Sequence, residues 1–156
     1  MSKSLKRVTA ALKAAKIEVA ILEIAATTRT AQQAADAAGC ALDQIVKSII
    51  FQGEDTGQII LFLTAGGNRV DPQKASDLVD QPLGKADANR VRSETGFAIG
   101  GVSPIGHLTP VVTYLDPRLL DFDRVWAAAG TPHHIFPIAP ATLLQLTKAQ
   151  VADFVV

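Results

Sequence analysis

Cysteine is nearly absent. Cys40 is the single thiol in 156 residues, so an internal disulfide cannot form, as expected of a protein kept in a reducing, cytoplasmic compartment. An excess of either charge is missing too, because fifteen Lys and Arg balance fifteen Asp and Glu. Affinity for long nucleic acid comes largely from neutralising phosphates. The balance therefore argues against DNA as a partner, but not against a ligand that offers only a few phosphates. No apolar run reaches the roughly 20 residues needed to span a bilayer. The basic start, MSKSLKRVTAALKAAK, lacks the continuous apolar segment of a signal peptide, and no membrane association is expected.

The common site patterns are missing as well. There is no phosphate-binding P-loop and no dinucleotide fingerprint. The three histidines, His107, His133 and His134, have no zinc-ligand spacing. The last two are adjacent, so on a strand they would face opposite ways. No serine sits in a G-x-S-x-G elbow, and Cys40 follows a helix-ending glycine with nothing to activate it. A metal, an organic cofactor and a covalent nucleophile are therefore not expected.

What is present is a globular composition, 48% hydrophobic and 19% charged, read as one domain over residues 1–156. The first helix is amphipathic. Leu5, Val8, Leu12 and Ala15 share one side, and Lys3, Lys6, Arg7, Lys13 and Lys16 the other, either as an ordinary solvated face or as a ridge for phosphates. VAILEI reads as a strand, TAQQAADAAG as a helix capped by Thr30 and closed by Gly39, and QIVKSIIF with QIILFLTA as a hairpin across GEDTG. Asp71 and Asp87 cap two further helices, the second closed by Gly96. FAIGG and VVTYLD read as short strands, RVWAAAG and HHIFPI as a last strand pair, and APATLLQLT as a terminal helix. Strands and helices mix without regular alternation, which predicts an α+β fold with a mostly antiparallel, strongly curved sheet.

Two stretches could carry chemistry. In QIVKSIIF, side-chain alternation puts Lys47 on the same side as Ile45, Ile49 and Phe51. An amine among apolar neighbours either reaches out to water or is held for a reaction. The second stretch is TGFAIGGVSPIGHLTP, where four glycines and two prolines fix a backbone shape. Gly100 and Gly101 have no Cβ, so a ligand can approach the main chain, and Pro104 stiffens the far side. Asn68 and Arg69 follow the hairpin, either as pocket support or ligand contacts or simply as a turn before the Asp71 cap.

QIVKSIIF, TGFAIGGVSPIGH and GTPHHIFPIAPATLLQLTKAQVADF, with ATTRTA at residues 26–31, together resemble the YbaK/EbsC family. Its members are free-standing relatives of the editing insertion of bacterial prolyl-tRNA synthetase. The resemblance implies a curved, barrel-like mixed sheet surrounded by short helices. It also implies trans-editing, the hydrolysis of an amino acid wrongly attached to a tRNA, most often tRNA for proline. It assigns catalysis to Lys47, Gly100 and Gly101, and substrate binding to Ser48, Val102, Ser103, Pro104 and His134, or His133 if the register slips by one. Ser48 departs from the asparagine usual in alanine-clearing relatives, which leaves the cleared amino acid open among Ala, Ser, Thr, Cys and similar small residues. The implied partners are the aminoacylated acceptor end and a prolyl-tRNA synthetase or elongation factor that delivers it. An aminoacyl ester is already activated, so a cation, oriented amides and the vicinal ribose hydroxyl suffice without a strong nucleophile. Lys47 acting as a base, a non-catalytic binding module, and a hydrolase of other small esters or amides are the alternatives.

Overall fold

A computed structural model describes residues 2–156. Its first element, α1 (Lys3–Ala14), starts where the Ser2 side chain accepts the Leu5 amide at 3.0 Å, and it buries Leu5, Val8 and Leu12. The two-residue strand β1 (Leu22–Glu23) follows, then α2 (Ala31–Ala38), opened by a reciprocal Thr30–Gln33 capping box and closed by left-handed Gly39. A single 3-10 turn, Leu42–Gln44, leads into the hairpin β2 (Val46–Gly53) and β3 (Ile59–Ala65). Next come α3 (Pro72–Val79), β4 (Leu83–Lys85), α4 (Ala88–Thr95) and β5 (Val112–Leu115). Past a 3-10 segment, Pro117–Asp121, the chain finishes with β6 (Val125–Ala128), β7 (His134–Ile138), α5 (Pro140–Thr147) and β8 (Gln150–Val151).

Two sheets form. The smaller is antiparallel in the order β1-β7-β6, and the larger runs β4-β2-β3-β5-β8. Within the larger sheet β3–β5 and β5–β8 are parallel, while β2 pairs antiparallel with β3 and β4. A parallel bridge from Ile45 to Trp126 joins the sheets just before β2. Four antiparallel pairings against two parallel ones match the expected mixed, mostly antiparallel arrangement.

Burial follows the pleat. Ile59, Leu61 and Leu63 of β3 face the main core, together with Val46, Val125, Phe136 and the apolar side of α1. Ile60 and Phe62 face the opposite way, into a second cluster with Ala75, Tyr114 and Phe154. Both faces of β3 are covered, and every residue in it is buried, as its continuous apolar run requires. Phe62 stacks on Tyr114 with centroids 5.4 Å apart and meets Phe154 edge-on at 5.0 Å.

Several local expectations fail for identifiable reasons. FAIGG is not a strand but a tight turn, since Gly96 and Gly100 both take positive φ. Only Leu22 and Glu23 of VAILEI pair, and Ile45 lies ahead of β2, packing with Ile24 and Ile135 rather than with Ile49 and Phe51. Strands β4 and β8 carry no alternating pattern of their own and exist through pairing with neighbours. Phe62→Ala should cost about 3–5 kcal/mol, because it empties the centre of the second cluster. Denaturant unfolding followed by far-UV circular dichroism measures this.

Candidate active site

Strand β2 has β3 along one edge throughout, but on its other edge β4 pairs only with residues 51–53 and Trp126 only with Ile45. The stretch between is an opening in the sheet. Side chains from both faces of β2 reach it, so alternation alone does not decide which residues line a cleft there. A cleft of about 660 Å³ fills the opening, walled by Lys47, Ser48 and Ile49, by Thr28–Ala31, by Gly100 and by Pro132, His133 and Ile135. A smaller recess of about 170 Å³ shares Ser48 and Gly100 with it and is otherwise lined by Ile50, Lys85, Ala86, Ile99 and Val102.

Lys47 sits opposite Thr64 at the end of the hairpin and is half-buried. Its ammonium donates to the Asn68 carbonyl in the turn after β3. Burial lowers the amine's pKa from the ordinary lysine value, and the nearby Arg69 pushes it the same way. Asp116 and Asp43 oppose both effects.

The two loop glycines do different work. Residues 98–101 form a turn closed by the Gly101 amide donating to the Ala98 carbonyl at 3.0 Å. Gly100 is its third residue, with φ +95°, and the space where a Cβ would lie is open. Its amide has no acceptor among the described residues. A Cβ on Gly101 would stand 3.1 Å from the Thr131 backbone and 3.2 Å from Pro132, so this glycine lets the loop lie directly against residues 131–132. Of these two glycine amides, that of Gly100 is the one without an acceptor among the described residues.

Two polar atoms in the cleft lining are buried without any hydrogen-bond partner, Ser48 Oγ and His133 Nδ1. Orphaned groups of this kind each cost about 1–3 kcal/mol and are natural points for a ligand to satisfy. His134 is different. As the first residue of β7 it pairs with Glu23, and its Nδ1 is taken by Thr131 Oγ1 at 2.6 Å. Of the two adjacent histidines, His133 lies on the cleft.

The remaining loop residues separate. Val102 lines the recess, whereas Ser103 is fully buried, with its Oγ accepting the Ile105 amide at 3.3 Å and its carbonyl bonded to His107 Nε2 at 2.6 Å. Pro104 is buried against a different groove, beside His107, Val111 and Tyr114. Lys47, Ser48, Gly100 and His133 therefore share one cleft, while Ser103, Pro104 and His134 stand outside its lining.

A sequence model of the aminoacyl-tRNA editing domain matches residues 25–146. The chain belongs to that family. YwhH of Bacillus subtilis, an uncharacterized protein, is 31% identical over 84% of this chain and 83% of its own. EbsC of Enterococcus faecalis, described as a proposed Cys-tRNA(Pro)/Cys-tRNA(Cys) deacylase, is 26% identical over 80% of this chain and 76% of its own. The crystal structure of a proposed trans-editing enzyme for prolyl-tRNA synthetase superposes with a TM-score of 0.92 at 49% identity, covering 100% of this chain and 99% of that one. The kinship read from the sequence motifs holds, and the general role of this editing domain is the enzymatic editing of aminoacylated tRNA.

Other features fall into place around the cleft. Thr28, Arg29 and Pro132 belong to its walls, although ATTRTA reads in the sequence only as a family mark and a helix cap. The basic side of α1 is not a uniform ridge. Arg7 turns inward, donating to the carbonyls of Gly96 and Gly106 at both ends of the glycine loop, with its guanidinium 4.8 Å over the Phe97 ring. Cys40 is half-buried, and burial raises its pKa, which disfavours the reactive thiolate. Among the described residues, no helix is long and apolar enough to cross a membrane. Gly100→Ala should destabilise the domain by about 1–2 kcal/mol, the cost of an L-residue at positive φ. Thermal unfolding against wild type checks this.

Proposed function

We propose that the protein acts in trans to hydrolyse the ester that joins a mistakenly attached small amino acid to tRNA, with tRNA for proline as the main substrate. The observation that carries this reading is that Lys47, the Gly100 turn, and Ser48 and His133 with their orphaned atoms line one cleft. The adjoining recess of about 170 Å³ suits alanine, serine, threonine, cysteine or a similarly small side chain, with Ser48 at its boundary. On this reading residues 1–156 act as one cytoplasmic editing unit. The balanced charge suits an enzyme that contacts few phosphates and takes its substrate from a synthetase or elongation factor.

In the reaction water attacks the ester carbonyl carbon, and the bond from that carbon to the ribose oxygen breaks. The proton from water passes to the departing ribose oxygen, leaving the free amino acid and a tRNA with its terminal hydroxyls restored. Lys47 holds the carbonyl or the terminal phosphate by charge, and the Gly100 amide donates to the oxyanion. Such preorganised donors contribute on the order of 3–4 kcal/mol each. The neighbouring ribose hydroxyl orients the water, so a dedicated protein base is not required.

Deacylation of tRNA for proline carrying alanine, serine, threonine or cysteine tests the proposal. At least one should be hydrolysed well above the spontaneous rate, and Lys47→Ala should lower kcat by roughly 100- to 1000-fold with the protein still folded. A folded wild type that binds these tRNAs but leaves all of them intact would overturn it in favour of a binding module. The pH profile is a separate prediction. A lysine is charged below its pKa, and that of Lys47 is lowered, so activity that needs the cation should fail on the alkaline side at a lower pH than an ordinary lysine would dictate. Initial rates across the alkaline range, corrected for spontaneous ester hydrolysis, measure it.

A further inference from the structure

Lys47 carries a flexible four-carbon stem, so a cation placed to a fraction of an ångström needs something rigid to hold it. Its partner is a main-chain carbonyl, that of Asn68, in the turn that leaves β3. That turn is itself held from behind. Asp116 Oδ2 accepts the Asn68 side-chain amide at 2.9 Å and the Ala65 amide at 3.1 Å, so one carboxylate oxygen binds both ends of the turn. The other oxygen of Asp116 accepts the Arg118 amide at 3.0 Å, and the residue is 1% exposed. On the far side Asp43 Oδ1 accepts the Gly67 amide at 2.8 Å, and its Oδ2 accepts Arg118 Nε at 3.0 Å. Gly66 and Gly67 leave no room for side chains, since a Cβ there would meet the Leu42 carbonyl and the Asp43 carboxylate.

We propose that Asp116, acting through Asn68, is a positioning residue for Lys47: it fixes the carbonyl that aims the ammonium into the cleft. The inference rests on the reading of Lys47 as the working cation of that cleft. A purely structural role for Asp116, as cap of the 3-10 segment Pro117–Asp121, would need the Arg118 contact but not the one to the Asn68 side chain. It is this additional link that reaches toward the lysine. Asp116 also acts by charge, favouring the ammonium from behind, as Asp43 does, whereas Arg69 disfavours it. Arg29 and His133 are the other charged or titratable side chains among those that line the cleft with Lys47.

The test compares wild type, Asn68→Ala and Asp116→Asn by two measurements, deacylation kinetics and titration of the Lys47 side chain by NMR. Asn68→Ala keeps the carbonyl and the Asp116 charge but frees the turn. It should lower kcat roughly 10- to 100-fold with KM little changed, the range expected when a catalytic group shifts by about 1 Å. In Asp116→Asn the lost negative charge should make Lys47 release its proton at a lower pH than in wild type, and kcat should fall as well. Folded variants with wild-type kcat, or an Asp116→Asn protein whose Lys47 titrates as in wild type, would overturn the inference. If Asp116→Asn does not fold, Asn68→Ala decides by itself. Absence of turnover by wild type would instead overturn the proposed function, and the lysine titration would still decide the positioning role.

Discussion

The register of one hairpin governs the whole arrangement. Seven consecutive pairs lock β2 to β3, from Val46 opposite Ala65 to Gln52 opposite Ile59. A shift of one residue would send every side chain of β2 to the opposite face. Lys47 would then point into the main core and Val46 out of it. The apolar contacts on both faces of β3 forbid this, since Ile60 and Phe62 fit one cluster and Leu61 and Leu63 the other. Core packing thus does more than stabilise the domain, because it sets the direction of the amine.

Around that fixed point the cleft sets a few backbone and small polar groups among apolar walls that include Ile24, Ile45, Ile49 and Ile135. Gly100 offers an amide on a bare turn, and Gly101 presses the turn against residues 131–132. Ser48 and His133 each keep one polar atom without a partner. On the proposed reading, such a cavity suits a substrate whose reactive bond is always the same and whose variable part is small.

Much of this was legible in the chain before any coordinates. Thr and Asp caps marked helix starts, Gly39 and Gly96 marked helix ends, and the dense β-branched runs of the hairpin identified the central strands. What escaped had no local signal. Strands β4 and β8 form because a neighbour offers an edge, not because LGK or QV prefers to be extended. FAIGG looked like a strand because its apolar residues outweigh its glycines in a pattern count, while the positive φ at Gly100 dictates a turn. At the cleft, Lys47 and Gly100 came from motifs that stand out. The preference for His133 over His134 depends on where β7 begins and on the hydroxyl of Thr131 that occupies His134, neither of which sequence spacing can reveal. Asn68 reads in the sequence as a plain turn, pocket support or a tRNA contact, and only the coordinates show its carbonyl accepting the hydrogen bond from Lys47.

The parallel pairing of β3 with β5 has a consequence for how the domain comes together. Parallel neighbours cannot be joined by a tight turn, so α3, β4, α4 and the glycine loop all intervene before β5 docks beside β3. The hairpin, by contrast, can zip early from contacts close in the chain. The lysine thus sits on a pairing that is local in the chain, whereas its buried aspartate and the opposing loop reach it only through the long-range closure that completes the sheet.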